Sequence, residues 1–206
     1  LWRHRWHFRR WSLHTRLTVE VTVLLMVVGA VLYAVLEWNH VDTLGQMTTG
    51  EKLQNSLFAS VMMRSGGFSV VDNVIEHSET MLVTNALMFA GGGSASTAGG
   101  IKVTTIAVIF LAFLAEARGH EESTAHGRTI PAQAVRVAVS VVAMGATFVL
   151  ISTLALIIIT GEDLERPLFE SISAFATCGL SSGLTEDLPP AGLYVLTGLM
   201  FAGRVG

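Results

Sequence analysis

Two short glycine turns carry the groups best placed for chemistry: Arg64-Ser65-Gly66-Gly67-Phe68 and Thr177-Cys178-Gly179-Leu180-Ser181. Gly67 and Gly179 stand 112 positions apart. Glycine reaches positive φ without a Cβ clash, so consecutive carbonyls can turn toward one axis. A ring of carbonyls replaces the water around a dehydrated cation. Neither turn contains a carboxylate, which argues against a divalent-cation filter built from acid rings. The candidate cation-coordinating residues are Ser65, Gly66, Gly67, Phe68, Thr177, Cys178, Gly179 and Leu180. The plainer reading, a simple turn at a membrane surface, is disfavoured by the shared spacing. Cys178 offers its carbonyl, and its thiol needs no role; Met62 and Met63 read as packing residues.

A third glycine cluster runs Gly91, Gly92, Gly93, Ser94, Ala95, Ser96, Thr97, Ala98, Gly99 and Gly100, with Lys102 just after it. It interrupts an apolar stretch, and three readings compete. Gly-rich helix breaks occur at working positions in transporters, so the segment reads as an intramembrane gate. Small residues also permit close helix packing. A phosphate-cradling loop is a weaker option, since neither GxxxxGK[ST] nor GxGxxG is matched. Lys102 favours the gate, because a cation at membrane depth is functional by default. Arg204 reads either as a partner of that loop or as a snorkelling interfacial side chain. Arg64 beside the first turn would repel a cation on the axis, so it is expected to pair behind the turn with an acid, Asp72 or Glu170. Glu20 lies four residues from Arg16, which suits a local helix pair better than an ion-coupling site. His120, Glu121, Glu122 and His126 miss the HExxH spacing because position 124 is Thr, so metal chemistry is not expected there.

These turns need elements to hold them. LMFAG occurs at 87–91 and again at 199–203, and FxS occurs at 58–60 and 169–171. Such self-similarity marks a tandem repeat. Each unit reads as span, short re-entrant segment, glycine turn, span. Segments 52–63 and 166–176 read as half-helices whose C-terminal ends, partially negative by the helix dipole, point at the turns. Apolar runs cover 17–38, 80–115, 132–160 and 190–206, and a bilayer core needs about 20 such residues as a helix. The fold class is therefore an all-α membrane protein of tandem helix–pore-loop–helix repeats. Its parts are a basic and aromatic lead-in at 1–16, a first unit at 17–118, a loop at 119–131 and a second unit at 132–206.

Charged residues make up only 14% of the 206 and the net charge is −3, which excludes a disordered or nucleic-acid-coating chain. One cysteine excludes an intramolecular disulfide. Five of thirteen basic residues fall within positions 1–16, while eleven of sixteen acids lie in the two regions opposite. Bases favour the inner face, so the lead-in and loop 119–131 are placed in the cytoplasm. A signal peptide fits poorly, since the apolar run is too long and no small-residue cleavage site follows. No convergent acid, base or nucleophile appears in the spans, so an enzyme is not expected. A secondary transporter using broken helices for alternating access is the alternative to a pore.

The motifs themselves resemble a known group. RWSLHT at 10–15, FASVMMRSGGF at 58–68, LMFAGGGSASTAGGIK at 87–102, FESISAFATCGLSSGLT at 169–185 and MFAGRVG at 200–206 are similar, in order, to RWSLHTK, FQSVTTRTAGF, LMFIGGSPGSTAGGIK, FESVSAFGTVGLSTGIT and MFIGRVG of the Trk/Ktr/HKT potassium transporters. The Ktr-type membrane subunit is the nearest pattern. The resemblance implies the third and fourth repeats of a pseudo-fourfold pore, so the chain reads as a fragment. It implies potassium uptake, a gate at the glycine loop with Lys102 and Arg204, a homodimer in the membrane lipid and a cytosolic nucleotide-binding regulatory ring. No cofactor is implied on this chain beyond the transported K⁺, and Na⁺ dependence stays open. Departures are Met62 and Met63 for threonines, Gly66 for alanine, Cys178 for valine, and Ala95-Ser96 for Pro-Gly.

Overall fold

A computed structural model describes residues 11–71, 73–93, 99–119, 124–125 and 128–205. The expectations that rest on the histidines and arginines of 1–10, on Asp72, on Ser94, Ala95, Ser96, Thr97 and Ala98, and on His120, Glu121, Glu122 and His126 lie outside the described residues.

The first unit opens with α1 (Leu13–Glu37), capped by Ser12, whose hydroxyl accepts from the Thr15 N–H. A π-type turn (Val41–Gly45) leads to α2 (Thr49–Met62). A reciprocal Thr48/Glu51 capping box starts α2, satisfying two N–H groups that the helix itself leaves open. The exposed Glu51 carboxyl is held below its usual range by the Thr48 backbone N–H and then by the Thr48 hydroxyl. Then follow α3 (Ser78–Phe89) and α4 (Val103–Ala117). The apolar run 80–115 is thus two helices separated at the third glycine cluster.

A two-residue antiparallel ribbon pairs β1 (Thr124–Ala125) with β2 (Arg128–Thr129). Apolar periodicity gave no sign of this strand pair. The second unit is α5 (Ala132–Thr160), α6 (Glu165–Ala176) and α7 (Pro190–Val205). Gly161 at φ +73° ends α5, and its N–H returns to the Ile157 carbonyl at 2.8 Å. Pro167 sits in the first turn of α6, where no intrahelical N–H is required.

With 25 and 29 residues, α1 and α5 are each long and apolar enough to cross a membrane. At about 1.5 Å per residue both exceed a hydrocarbon core of about 30 Å. Their outward faces are apolar: Val23, Val27, Val31 and Val35 on α1, and Leu150, Ile151, Leu154 and Ile158 on α5, are exposed. Water would not tolerate so continuous a patch, whereas acyl chains would.

The core gathers around α6, which packs on α3, α5 and α7 and buries every residue from Phe169 to Ala176. Phe169, Leu156, Met88 and Ile101 are fully enclosed. Between helices in lipid, close packing replaces the hydrophobic effect as the main cohesion. Gly145 of α5 accordingly receives the Phe175 ring, and Gly29 of α1 receives Ser60 of α2, whose hydroxyl donates to the Met26 carbonyl at 2.7 Å.

Candidate functional site

The backbone turns left-handed three residues past the end of α2 and directly after α6. After α2, Ser65 has φ +69° and Gly67 φ +72°; after α6, Thr177 has φ +50° and Gly179 φ +98°. Positive φ therefore recurs at the same two places in each unit, 112 residues apart. Alternating left- and right-handed residues is the conformation in which successive peptide carbonyls can share one face. Spacing alone pointed to the two glycines; that Ser65 and Thr177 share the strained region was not legible, since non-glycine residues rarely enter it.

The turns lie against each other. A Cβ on Gly67 would sit 2.6 Å from the Cys178 carbonyl oxygen, and one on Gly179 would sit 3.3 Å from Gly67 Cα. Polar links fasten the pair. The Cys178 thiol donates to the Met62 and Met63 carbonyls, each at 3.4 Å. Asn73 Nδ2 donates to the Ser181 carbonyl at 3.1 Å, and Ser65 Oγ reaches the Ala176 carbonyl at 3.4 Å. The thiol, expected to be idle, is thus a bridge between units. Beyond the turns lies a polar cavity of about 380 Å³ lined by Gly67, Ser69, Asn73, Gly179 and Ser181 among others.

Glu170 holds the second turn from behind. Its Oε1 accepts from Ser181 Oγ at 2.7 Å, Ser182 N at 2.7 Å and Ser182 Oγ at 2.9 Å, and its Oε2 accepts from Thr185 Oγ1 at 2.6 Å. Ser173 Oγ donates to the Leu180 carbonyl at 2.6 Å, so that oxygen is drawn back toward α6. Phe68, which follows Gly67, is exposed.

Arg64 corrects an expectation. It does not pair with Glu170, whose oxygens are committed to the second turn. Its Nη1 donates to the Thr22 carbonyl of α1 at 3.2 Å and its Nη2 to the Gly91 carbonyl at 3.0 Å. Two backbone carbonyls, one from α1 and one from the helix break, thus hold the guanidinium in place of Glu170. Arg16 and Glu20 do form the local pair, at 2.9 Å on an exposed face.

The helix break returns to its own starting point: the Val103 N–H donates to the Gly92 carbonyl at 3.1 Å. Its outgoing limb is Gly91, Gly92 and Gly93; its returning limb is Gly99, Gly100 and Ile101. The returning limb reaches the second unit. Gly99 N donates to Thr177 Oγ1 at 2.8 Å, and Gly100 N to the Gly203 carbonyl of α7 at 2.9 Å. A Cβ on Gly203 would overlap the Phe175 carbonyl. Lys102 is half-buried at the start of α4, and Arg204 is exposed in the last turn of α7.

Composition and spacing gave no notice of a second polar hub at the far end of α1. Glu37, fully buried, accepts from Thr80 Oγ1 (2.5 Å), the His77 N–H (3.1 Å), Thr43 Oγ1 (2.7 Å) and His40 Nδ1 (2.7 Å). Tyr33 donates to Glu76 at 2.9 Å close by. A single acid closing a long apolar run was the available signal.

The model of the cation transport protein family TrkH matches residues 7–206. The chain belongs to the TrkH family of cation transport proteins. Its relatives include the Ktr system potassium uptake protein B of Vibrio alginolyticus, 34% identical over 205 residues and 100% of this chain, and the protein of the same name from Bacillus subtilis strain 168, 36% identical over 97% of this chain. The potassium/sodium uptake protein NtpJ of Enterococcus hirae is 35% identical over 95% of it. The chain spans 45%, 45% and 44% of those three relatives, a little under half. The crystal structure of the potassium transporter TrkH from Vibrio parahaemolyticus shares the fold, with a TM-score of 0.77 over 90% of this chain and 41% of that one, at 19% identity.

Proposed function

We propose that the chain forms two of the pore-lining repeats of a potassium uptake protein in the cell membrane. The observation that carries this is the matched pair of left-handed turns, at Ser65/Gly67 and Thr177/Gly179, closing two half-helices and lying in contact. Carbonyls of residues 65–68 and 177–179 stand in for the water of a dehydrated K⁺, while that of Leu180, expected among them, is held back by Ser173. The C-terminal ends of α2 and α6 add partial negative charge at the same place. The potassium uptake named for the relatives supports the choice of ion. The cytoplasm lies at the amino end of α1, so both turns open outward. The rest of the pore comes from companion repeats, in a homodimer governed by a cytosolic nucleotide-binding ring.

In this reading the break between α3 and α4 is the gate. Gly99 touches Thr177 directly beneath the second turn, and Gly100 touches α7. Lys102 and Arg204 add positive charge that opposes K⁺ until the ring draws the loop aside. Alternating access would use the same broken helix but gives no account of the paired turns.

The test is K⁺-limited growth of an uptake-deficient cell carrying the full-length protein with Gly67→Ser or Gly179→Ser. Each variant is expected to lose K⁺ affinity, by about tenfold for each 1.4 kcal/mol of strain placed on the turn, or to admit Na⁺. Wild-type affinity with Na⁺ still excluded in both would sink the filter assignment. Deleting 92–98 is expected to raise K⁺ flux; unchanged or abolished flux in a folded protein would remove the gate assignment alone.

A further inference from the structure

The hub at the end of α1 has a composition that the ion path does not use. Among the described residues, Glu37, His40 and His77 each present a ligand atom within 4.8 Å of the others. The His40 and His77 rings are stacked, with centroids 4.0 Å apart and planes 20° apart. His40 Nδ1 lies 2.7 Å from Glu37 Oε2, and on the ring's other side Nε2 lies 4.0 Å from Asp42 Oδ2.

We propose that Glu37, His40 and His77 form a binding site for a divalent transition-metal ion of the Zn²⁺ class. The ion takes the place of the proton between Glu37 Oε2 and His40 Nδ1. It coordinates both atoms, with the His77 imidazole as third ligand and water completing the shell. Neutral His40 then carries its proton on Nε2, where the exposed Asp42 carboxylate receives it. A ligating histidine generally gives its other N–H to such a carboxylate, which fixes tautomer and ring orientation. Glu37 is also prepared: Thr43, Thr80 and the His77 N–H hold its carboxylate in place, as ligating carboxylates usually are held.

The donor set decides the class of ion. Two imidazoles and one carboxylate suit Zn²⁺, Co²⁺ or Ni²⁺. Ca²⁺ and Mg²⁺ require more oxygen ligands than the three residues offer. With Zn–N and Zn–O bonds of about 2.0–2.1 Å, ligand atoms on a tetrahedral ion lie about 3.3 Å apart, so His40 Nδ1 and Glu37 Oε2, now 2.7 Å apart, must part slightly and the exposed His77 ring must turn toward them. The site has a structural consequence. Glu37 ends α1, His40 lies just past it and His77 immediately precedes α3. A bound ion therefore ties together the two ends of the segment that contains α2 and the first glycine turn.

The experiment uses the full-length protein in detergent, purified without a polyhistidine tag. Zn²⁺ is titrated calorimetrically into wild type and His77→Ala, with Mg²⁺ as control, and melting is followed with and without Zn²⁺. Wild type is expected to bind one more Zn²⁺ per chain than His77→Ala, or to bind it at least about tenfold more tightly, and to gain melting temperature on adding Zn²⁺. His77→Ala is expected to keep the metal-free melting temperature, because its side chain is exposed and its backbone N–H remains for Glu37. The same affinity, stoichiometry and Zn²⁺-induced melting shift in both proteins would overturn the site, as would no Zn²⁺ binding by wild type.

Discussion

Glu170 is the residue on which the second turn rests. Three donors converge on its Oε1 and one on its Oε2, from Ser181, Ser182 and Thr185. An ionised carboxylate can only accept, which matches four donors; an amide in its place must turn an NH₂ toward one of them. Glu170→Gln is therefore expected to lower stability by about 1.5–3 kcal/mol, the range for hydrogen bonds to charged groups. K⁺/Na⁺ discrimination should fall with it. Melting of the purified full-length protein and Na⁺ competition in uptake check this; wild-type values in both would mean that the turn holds itself. Cys178 is a milder case. Its thiol spans the units at 3.4 Å, but S–H is a weak donor, so its contribution is alignment more than energy.

Glu37 joins one end of α1 to α3 through Thr80, and Tyr33 ties α1 to Glu76 just before α3. A carboxylate with no exposed surface and four donors is stable only while all four stay in place. Glu37→Ala removes the acceptor of the Thr80 hydroxyl and the His77 N–H, leaving Thr43 only the His40 carbonyl, and is expected to lower stability by roughly 3 kcal/mol. Glu37→Gln, which keeps the shape, should lose less. A melting temperature unchanged by Glu37→Ala would show that the joint carries no weight. The interrupted helix works differently. Arg64 holds its outgoing limb at Gly91, while Thr177 and Gly203 hold its returning limb. Both glycine turns thus touch the break, one through a guanidinium and one through a threonine hydroxyl. Displacing the loop between those limbs would be felt at both.

On the scale of the whole molecule, the apolar faces of α1 and α5 are turned outward and the polar links inward. That inversion fits a protein whose solvent is lipid, where unsatisfied backbone must be buried or wetted. Leu150 is exposed on α5, closer to the middle of its apolar run. Leu150→Lys is expected to oppose membrane insertion by about 2.5–3.5 kcal/mol. Membrane-fraction yield of the full-length protein should drop relative to Leu150→Met; equal yields would place that face against protein or water instead. Exposed Leu53 and Leu57 on α2 give the first half-helix an open apolar side, whereas α6 is sheathed by α3, α5 and α7. In the proposed pore, companion repeats would pack on that open side.

Much of this architecture could be read from local pattern. Apolar run length gave α1 and α5 within a few residues, and glycine spacing gave both turns and the helix break, because a helix period or a glycine requirement is written in neighbouring residues. Which donor meets which acceptor could not be read that way. Arg64 reaches across 42 residues to Thr22, Gly99 across 78 to Thr177, and Cys178 across 116 to Met62. Arg64 proved to meet the Thr22 and Gly91 carbonyls and not Glu170, and the thiol given no role proved to be a bridge. Composition and spacing determined that the chain lies in a membrane-type fold with two repeated turns. Only the packed helices decided their contacts, because a hydrogen bond depends on positions and angles that no single stretch of chain contains.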